Sequence, residues 1–125
     1  MARRDIAARA FLKYARLGFN QKNLPAVEMA RRISACTSCE NEATRLLAVY
    51  DTLRVLHAEG RGECADAVRA VYFSGRGRNL RKNDITFAVR RFASEHSLDD
   101  RTVWRRIEQA KVLYCSLLEE QISCL

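Results

Sequence analysis

Residues 85–110 read Ile85-Thr86-Phe87-Ala88-Val89-Arg90-Arg91-Phe92-Ala93-Ser94-Glu95-His96-Ser97-Leu98-Asp99-Asp100-Arg101-Thr102-Val103-Trp104-Arg105-Arg106-Ile107-Glu108-Gln109-Ala110, and they decide the fold. Ile85, Ala88, Val89 and Phe92 recur at the three- and four-residue spacing that lines one face of a helix. His96, Ser97 and Leu98 break that pattern, and Asp99 or Asp100 supplies the carboxylate that opens a second helix. Val103 and Ile107, four apart, pin the second helix onto the first. Ala93 is the small residue that two crossing helices need, and Leu98 fills their corner. On this phasing Arg101, Thr102, Trp104, Arg105 and Gln109 point away from the contact, and Arg90 and Arg91 form the outer edge of the first helix. Asn83 or Asp84 is the expected cap of that first helix.

Upstream, residues 3–18 read as a helix with Ile6, Ala10, Tyr14 and Leu17 on one face, widened by Ala7 and Phe11 and closed by Gly18. Arg9, Lys13 and Arg16 fall on another face, read as its solvated side. The only proline, Pro25, suits a first helical position, and Ala26, Met29, Ala30 and Ile33 continue a second short helix to about Ala35. Arg31 and Arg32 project from its end, where cations suit the helix dipole. Thr37 and Glu40 have the spacing of a capping box. Behind them Ala43, Leu46, Leu47, Val49, Tyr50, Leu53 and Leu56 give the longest apolar arc before residue 85, the expected centre of the core. Cys64 to Phe73 forms a fourth helix buried through Val68, Val71 and Tyr72. The last helix shows no breaker through Leu118. Its second half, Ala110, Leu113, Tyr114, Leu117 and Leu118, needs an apolar partner: the long helix of the same chain, or its own copy in a homodimer.

No stretch alternates as a strand would, so the expected class is all-α. Five or six helices make a single domain over 1–125, with a helical N-terminal part at 1–73 and the helix, turn and extended last helix at 83–120. A hydrophobic content of 48% with 30% charged residues suits a folded globular chain. No segment is long and apolar enough for export or for a membrane span, so a cytoplasmic protein without a membrane partner is expected.

The net charge of +7 is segregated: +6 over residues 1–35, −2 over 36–60, +5 over 61–111 and −2 over the last fourteen. Two basic blocks fit a protein that touches a polyanion. Ser74 to Lys82 is a glycine-broken basic loop whose Arg76, Arg78, Arg81 and Lys82 can clamp a phosphate strand, though without the spacing of a nucleotide-binding loop.

Five cysteines without an export signal argue against a disulfide scaffold. Cys36 and Cys39 form a lone Cys-x-x-Cys with no second pair, so Cys36, Cys64 and Cys115 are read as small buried apolar residues and Cys39 as a helix-start residue, with no metal. Neither a nucleophile turn nor a pair of metal ligands flanking a base appears, so no enzyme and no cofactor is expected.

Ala93, the turn, Leu98, the aspartate cap and then Thr102-Val103-Trp104-Arg105-Arg106-Ile107 resemble the helix-turn-helix of bacterial and phage transcription regulators. Ser97 stands where such motifs most often carry glycine. From about Glu42 onward the layout is similar to the phage late-transcription activators of the RinA or ArpU type and to region 4 of sigma factors. The resemblance implies a transcriptional regulator that binds double-stranded DNA, with Arg101, Thr102, Trp104, Arg105 and Gln109 facing the major groove and Arg76, Arg78, Arg81, Lys82, Arg90 and Arg91 on phosphates. It further implies contact with RNA polymerase. The alternative is a protein-interaction module, a small phage-type inhibitor or adaptor that keeps the fold without DNA function, which Asp99 and Asp100 favour by repelling phosphates.

Overall fold

The computed structural model describes residues 3–21, 23–73 and 82–123, without the side chains of residues 3–5, 82, 122 and 123. Six α-helices follow one another among them: α1 (Arg3–Arg16), α2 (Ala26–Cys36), α3 (Glu40–Ala58), α4 (Gly62–Tyr72), α5 (Lys82–Glu95) and α6 (Asp100–Ser123), with a 3₁₀ turn at Phe19–Gln21. The fold is all-α, as the spacing of apolar residues predicts. No helix among the described residues is long and apolar enough to cross a membrane.

Helix α3 lies at the centre and packs against α1, α2, α4 and α6. Its burial runs almost all round: Leu46, Ala48, Val49, Thr52, Leu53 and Leu56 are buried, while Leu47 and Tyr50 are half-buried. Thr52 is fully enclosed, and its hydroxyl donates to the Ala48 carbonyl at 2.7 Å. That bond removes the cost of burying the hydroxyl. The second half of α6 returns to α3 within the chain. Ala110 and Tyr114 are fully buried, and the Gln121 side chain donates to the Asp51 carboxylate at 2.9 Å. Of the two expected partners, the long helix of the same chain covers Ala110 and Tyr114, while Leu113, Leu117 and Leu118 remain half-buried.

Aromatic rings join α1 to the rest. Phe11 meets the Tyr72 ring of α4 at 5.6 Å and the Tyr114 ring of α6 at 5.7 Å, and Tyr14 meets Phe19 and Phe73, each at 5.7 Å. Such tilted pairs add to the area they bury. Leu17, expected inside, is 38% exposed. The helix ends at Arg16, and Gly18 turns the chain at φ +82°, which carries Phe19 into the core in place of Leu17.

Other boundaries also move. Thr37 closes α2 in an extended conformation instead of starting α3. Its hydroxyl accepts from the Cys39 N–H at 3.2 Å and donates to Glu42 at 2.9 Å, so Glu42, not Glu40, is the carboxylate that reaches back, and Cys39 is the residue before α3. Lys13 pairs with the same Glu42, so this member of the α1 basic row is an anchor to α3. Pro25 precedes α2 as its N-terminal flanking residue, and Arg31 and Arg32 both lie beside Glu28 of the same helix. Cys36 ends α2 in solvent and is not buried; Cys64 is buried and Cys115 half-buried. Helix α5 already includes Lys82, which puts Asn83 and Asp84 inside its first turn instead of at the cap.

Candidate nucleic-acid interface

The junction of α5 and α6 is built from backbone hydrogen bonds before any side chain acts. The Leu98 N–H reaches the Ala93 carbonyl at 2.8 Å and the Ser97 N–H reaches Ser94 at 3.3 Å, the paired bonds of a Schellman helix end. This end requires a left-handed residue, and Ser97 supplies it at φ +54°. The same two bonds end α3, where the Arg61 N–H reaches Leu56 at 2.7 Å and the Gly60 N–H reaches His57 at 3.2 Å around Gly60 at φ +76°. One motif therefore occurs twice, once with glycine and once with serine. His96 stacks on Phe92 with ring centroids 4.1 Å apart and its Nδ1–H donates to the Phe92 carbonyl at 3.0 Å, which closes the end of α5.

Helix α6 then starts against α5. Ala93, Val89, Val103 and Ile107 are buried to 1% exposure or less, and Leu98 packs against this cluster half-buried. Both aspartates are engaged locally. The Asp99 carboxylate accepts the Arg101 N–H at 3.4 Å, and the Asp100 carboxylate lies 3.8 Å from the Arg90 guanidinium of α5. The first is a cap; the second ties the two helices.

At about 100° per residue, the buried stripe of Val103, Ile107, Ala110 and Tyr114 places Arg101, Arg105 and Val112 on the opposite side of α6. Arg101, Arg105 and Gln109 are exposed. Trp104 is 39% exposed, a partly covered ring on one flank. Thr102 departs from the expected outward set: it lies one residue before Val103, about 100° from the buried stripe, and is half-buried on the other flank. Gln109 shares that flank. Its amide oxygen accepts the Cys64 thiol of α4 at 3.4 Å. Burial pushes the Cys64 thiol up, beyond the lowering effect of Arg61 and Arg106, so it stays protonated and able to donate.

Of the arginines assigned to phosphates, Arg90 and Arg91 are exposed on α5. Arg90 shares its charge with Asp100. Arg76, Arg78 and Arg81 lie outside the described residues; so does the side chain of Lys82, the first residue of α5.

Three features escaped the sequence reading. Phe87 is 69% exposed on α5, one turn before Arg91, and Val112 is 61% exposed on α6. The helical spacing that turns Ile85, Val89 and Phe92 inward already places Phe87 on the far side, so that signal was present. Arg61, from the turn before α4, joins Arg105, Gln109, Val112 and Ser116 around a shallow depression of about 390 Å³. No sequence spacing announces this meeting, because Arg61 reaches α6 only through the packing of α4.

Both histidines have structural contacts. His96 serves the end of α5, and the His57 Nε2 lies 3.1 Å from the Arg69 guanidinium, which donates to it. Among the described residues no group of three or more His, Cys, Asp or Glu side chains converges as a metal site would. Set against protein-family models, curated proteins and solved structures, the chain matches none.

Proposed function

We propose that the chain is a DNA-binding transcriptional regulator that uses α5 and α6 as a helix-turn-helix and enters the major groove with the first turns of α6. The carrying observation is electrostatic. The Asp99 carboxylate faces the Arg101 N–H and Asp100 lies beside Arg90, both keeping their charge at the very start of α6, while the exposed outward side of the next turn carries the guanidiniums of Arg101 and Arg105 with Trp104 beside them. Guanidinium groups on such a face suit guanine edges and phosphates, and an indole edge suits a sugar or a thymine methyl. Arg91 on α5, with Arg90 beside it, supports a contact to the flanking strand. The resemblance to phage late-transcription activators makes promoter DNA the natural target and RNA polymerase a candidate partner.

The test is binding to random duplex DNA across a salt series, with Trp104, the only tryptophan, as reporter. Affinity that falls steeply with salt and perturbs Trp104 is the expected result. Absence of binding at low salt would turn the reading to a protein-interaction module. In that reading the exposed Phe87 of α5 and Val112 of α6 are the first side chains to substitute.

A further inference from the structure

Away from α5, helices α2 and α6 both pack on α3 and leave a groove of about 800 Å³ between them. Leu47 and Val55 of α3 form its floor, half-buried, with Ala30 and Ile33 of α2 on one wall and Leu117 of α6 on the other. Its charged members are mostly acidic, Glu40 and Asp51 of α3 and Glu120 of α6, beside the neutral Ser34, Asn41, Thr44 and Gln121. Those carboxylates come from the two net-acidic blocks of an otherwise basic chain, residues 36–60 and the last fourteen, which folding brings to one place. The one cation in the lining, Arg54, lies over the Tyr50 ring, 5.9 Å from its centroid. Asp51 accepts from the Gln121 side chain; burial raises its carboxyl above its usual range while Arg54 and that hydrogen bond lower it, so the acidity of the rim rests chiefly on Glu40 and Glu120.

We propose that this groove docks an amphipathic helix of a protein partner, with leucine-like side chains on the face it buries and lysine or arginine along its edges. A two-walled apolar trough is the shape that accepts such a helix, and an acidic rim selects a basic one. The net charge of +7 repels a cationic peptide at long range, so saturable binding of one would report the local acidic site and not a general attraction. The groove is formed by α2, α3 and the C-terminal half of α6, apart from the N-terminal turns of α6, and the inference stands whether or not the chain binds DNA.

The experiment uses the whole chain and a fluorescein-labelled helical peptide of leucine and lysine about five turns long, beside a matched peptide of leucine and glutamate. Fluorescence anisotropy should show saturable binding of the lysine peptide and none of the glutamate peptide. Amide shifts on binding should fall in α2, α3 and the C-terminal half of α6. The double variant Glu40→Lys, Glu120→Lys changes two exposed side chains and should keep its helical circular dichroism while weakening the lysine peptide at least about fivefold. The milder Glu120→Gln should weaken it about twofold. Lack of saturable binding, equal affinity of the double variant, or equal affinity of the two peptides overturns the proposal. So does a dimer in sedimentation that the double variant breaks, because the groove would then belong to a second copy of the chain.

Discussion

Ser97 carries a conformational load that its chemistry does not relieve. It holds φ +54° in an exposed turn, and a non-glycine residue there costs on the order of 1 kcal/mol in backbone sterics. Glycine removes that cost but gains freedom in the unfolded chain, so the difference is partial. Ser97→Gly should therefore stabilise the fold by up to about 0.5 kcal/mol, read as a raised midpoint in urea with an unchanged slope. Gly60 provides the reciprocal case. A Cβ there meets nothing within 4 Å, so Gly60→Ala should lose about 1 kcal/mol through backbone strain alone, and an unchanged midpoint would refute this account of both helix ends. Tyr114 is a different kind of residue-scale tension: its hydroxyl is buried with no hydrogen-bond partner. Tyr114→Phe keeps the ring contact with Phe11 and removes an unsatisfied group, so it should leave stability unchanged or raise it by about 1 kcal/mol. Arg105 tests function at the same scale. If it reads a base edge, Arg105→Ala should weaken a selected DNA site by about 1–3 kcal/mol and random duplex far less, whereas equal loss on both would assign it to phosphate.

At the scale of elements, the packing faces were legible and the ends were not. The phasing of Val89, Phe92, Val103 and Ile107 fixed which sides of α5 and α6 meet, because a helix repeats its face every 3.6 residues wherever it starts. The same arithmetic identified α3 as the central helix and the return of α6 to α3 as one of two partners for its apolar half. Ends obey local competition instead. Thr37, with a side chain suited to start α3, was already engaged in finishing α2, and Asn83 and Asp84 lie inside α5 because that helix reaches back to Lys82. In the candidate interface, the outward placement of Arg101, Trp104 and Arg105 followed from phasing, whereas the bonds of Asp100 to Arg90 and of Gln109 to Cys64 needed the crossing of three helices to appear. The start of α6 offers the element's own test. Asp99 caps the helix and Asp100 braces it to α5, so Asp99→Ala should cost about 1 kcal/mol of stability, while Asp100→Ala should cost less because its pair with Arg90 is exposed and long. A larger loss for Asp100 would mean that the brace, not the cap, starts α6.

Across the whole molecule, one aromatic cluster joins α1 to the 3₁₀ turn, α4 and α6, and it places three tyrosines under a shared constraint. Tyr14, Tyr72 and Tyr114 are each exposed by 2% or less. Burial raises all three phenols; that of Tyr72 is pushed up to about 12, helped by Glu108, and those of Tyr14 and Tyr114 rise further despite nearby arginines. Each raised acid is neutral in the folded state at a pH where its unfolded counterpart, near 10, has begun to ionise. The unfolded state then binds fewer protons than the folded one, and stability falls as pH rises. Below about pH 10 both states are protonated and the tyrosines contribute no pH dependence. Between about pH 10 and 12 stability should fall steeply, since three groups act together in one core. Urea unfolding at a series of pH values, with tyrosinate absorbance followed in parallel, should show phenol ionisation appearing together with loss of helix. Tyr72→Phe should make the fall shallower by one proton's slope, while ionisation of all the phenols before any helix is lost would show that the cluster is open to water and that α1 is not held by it.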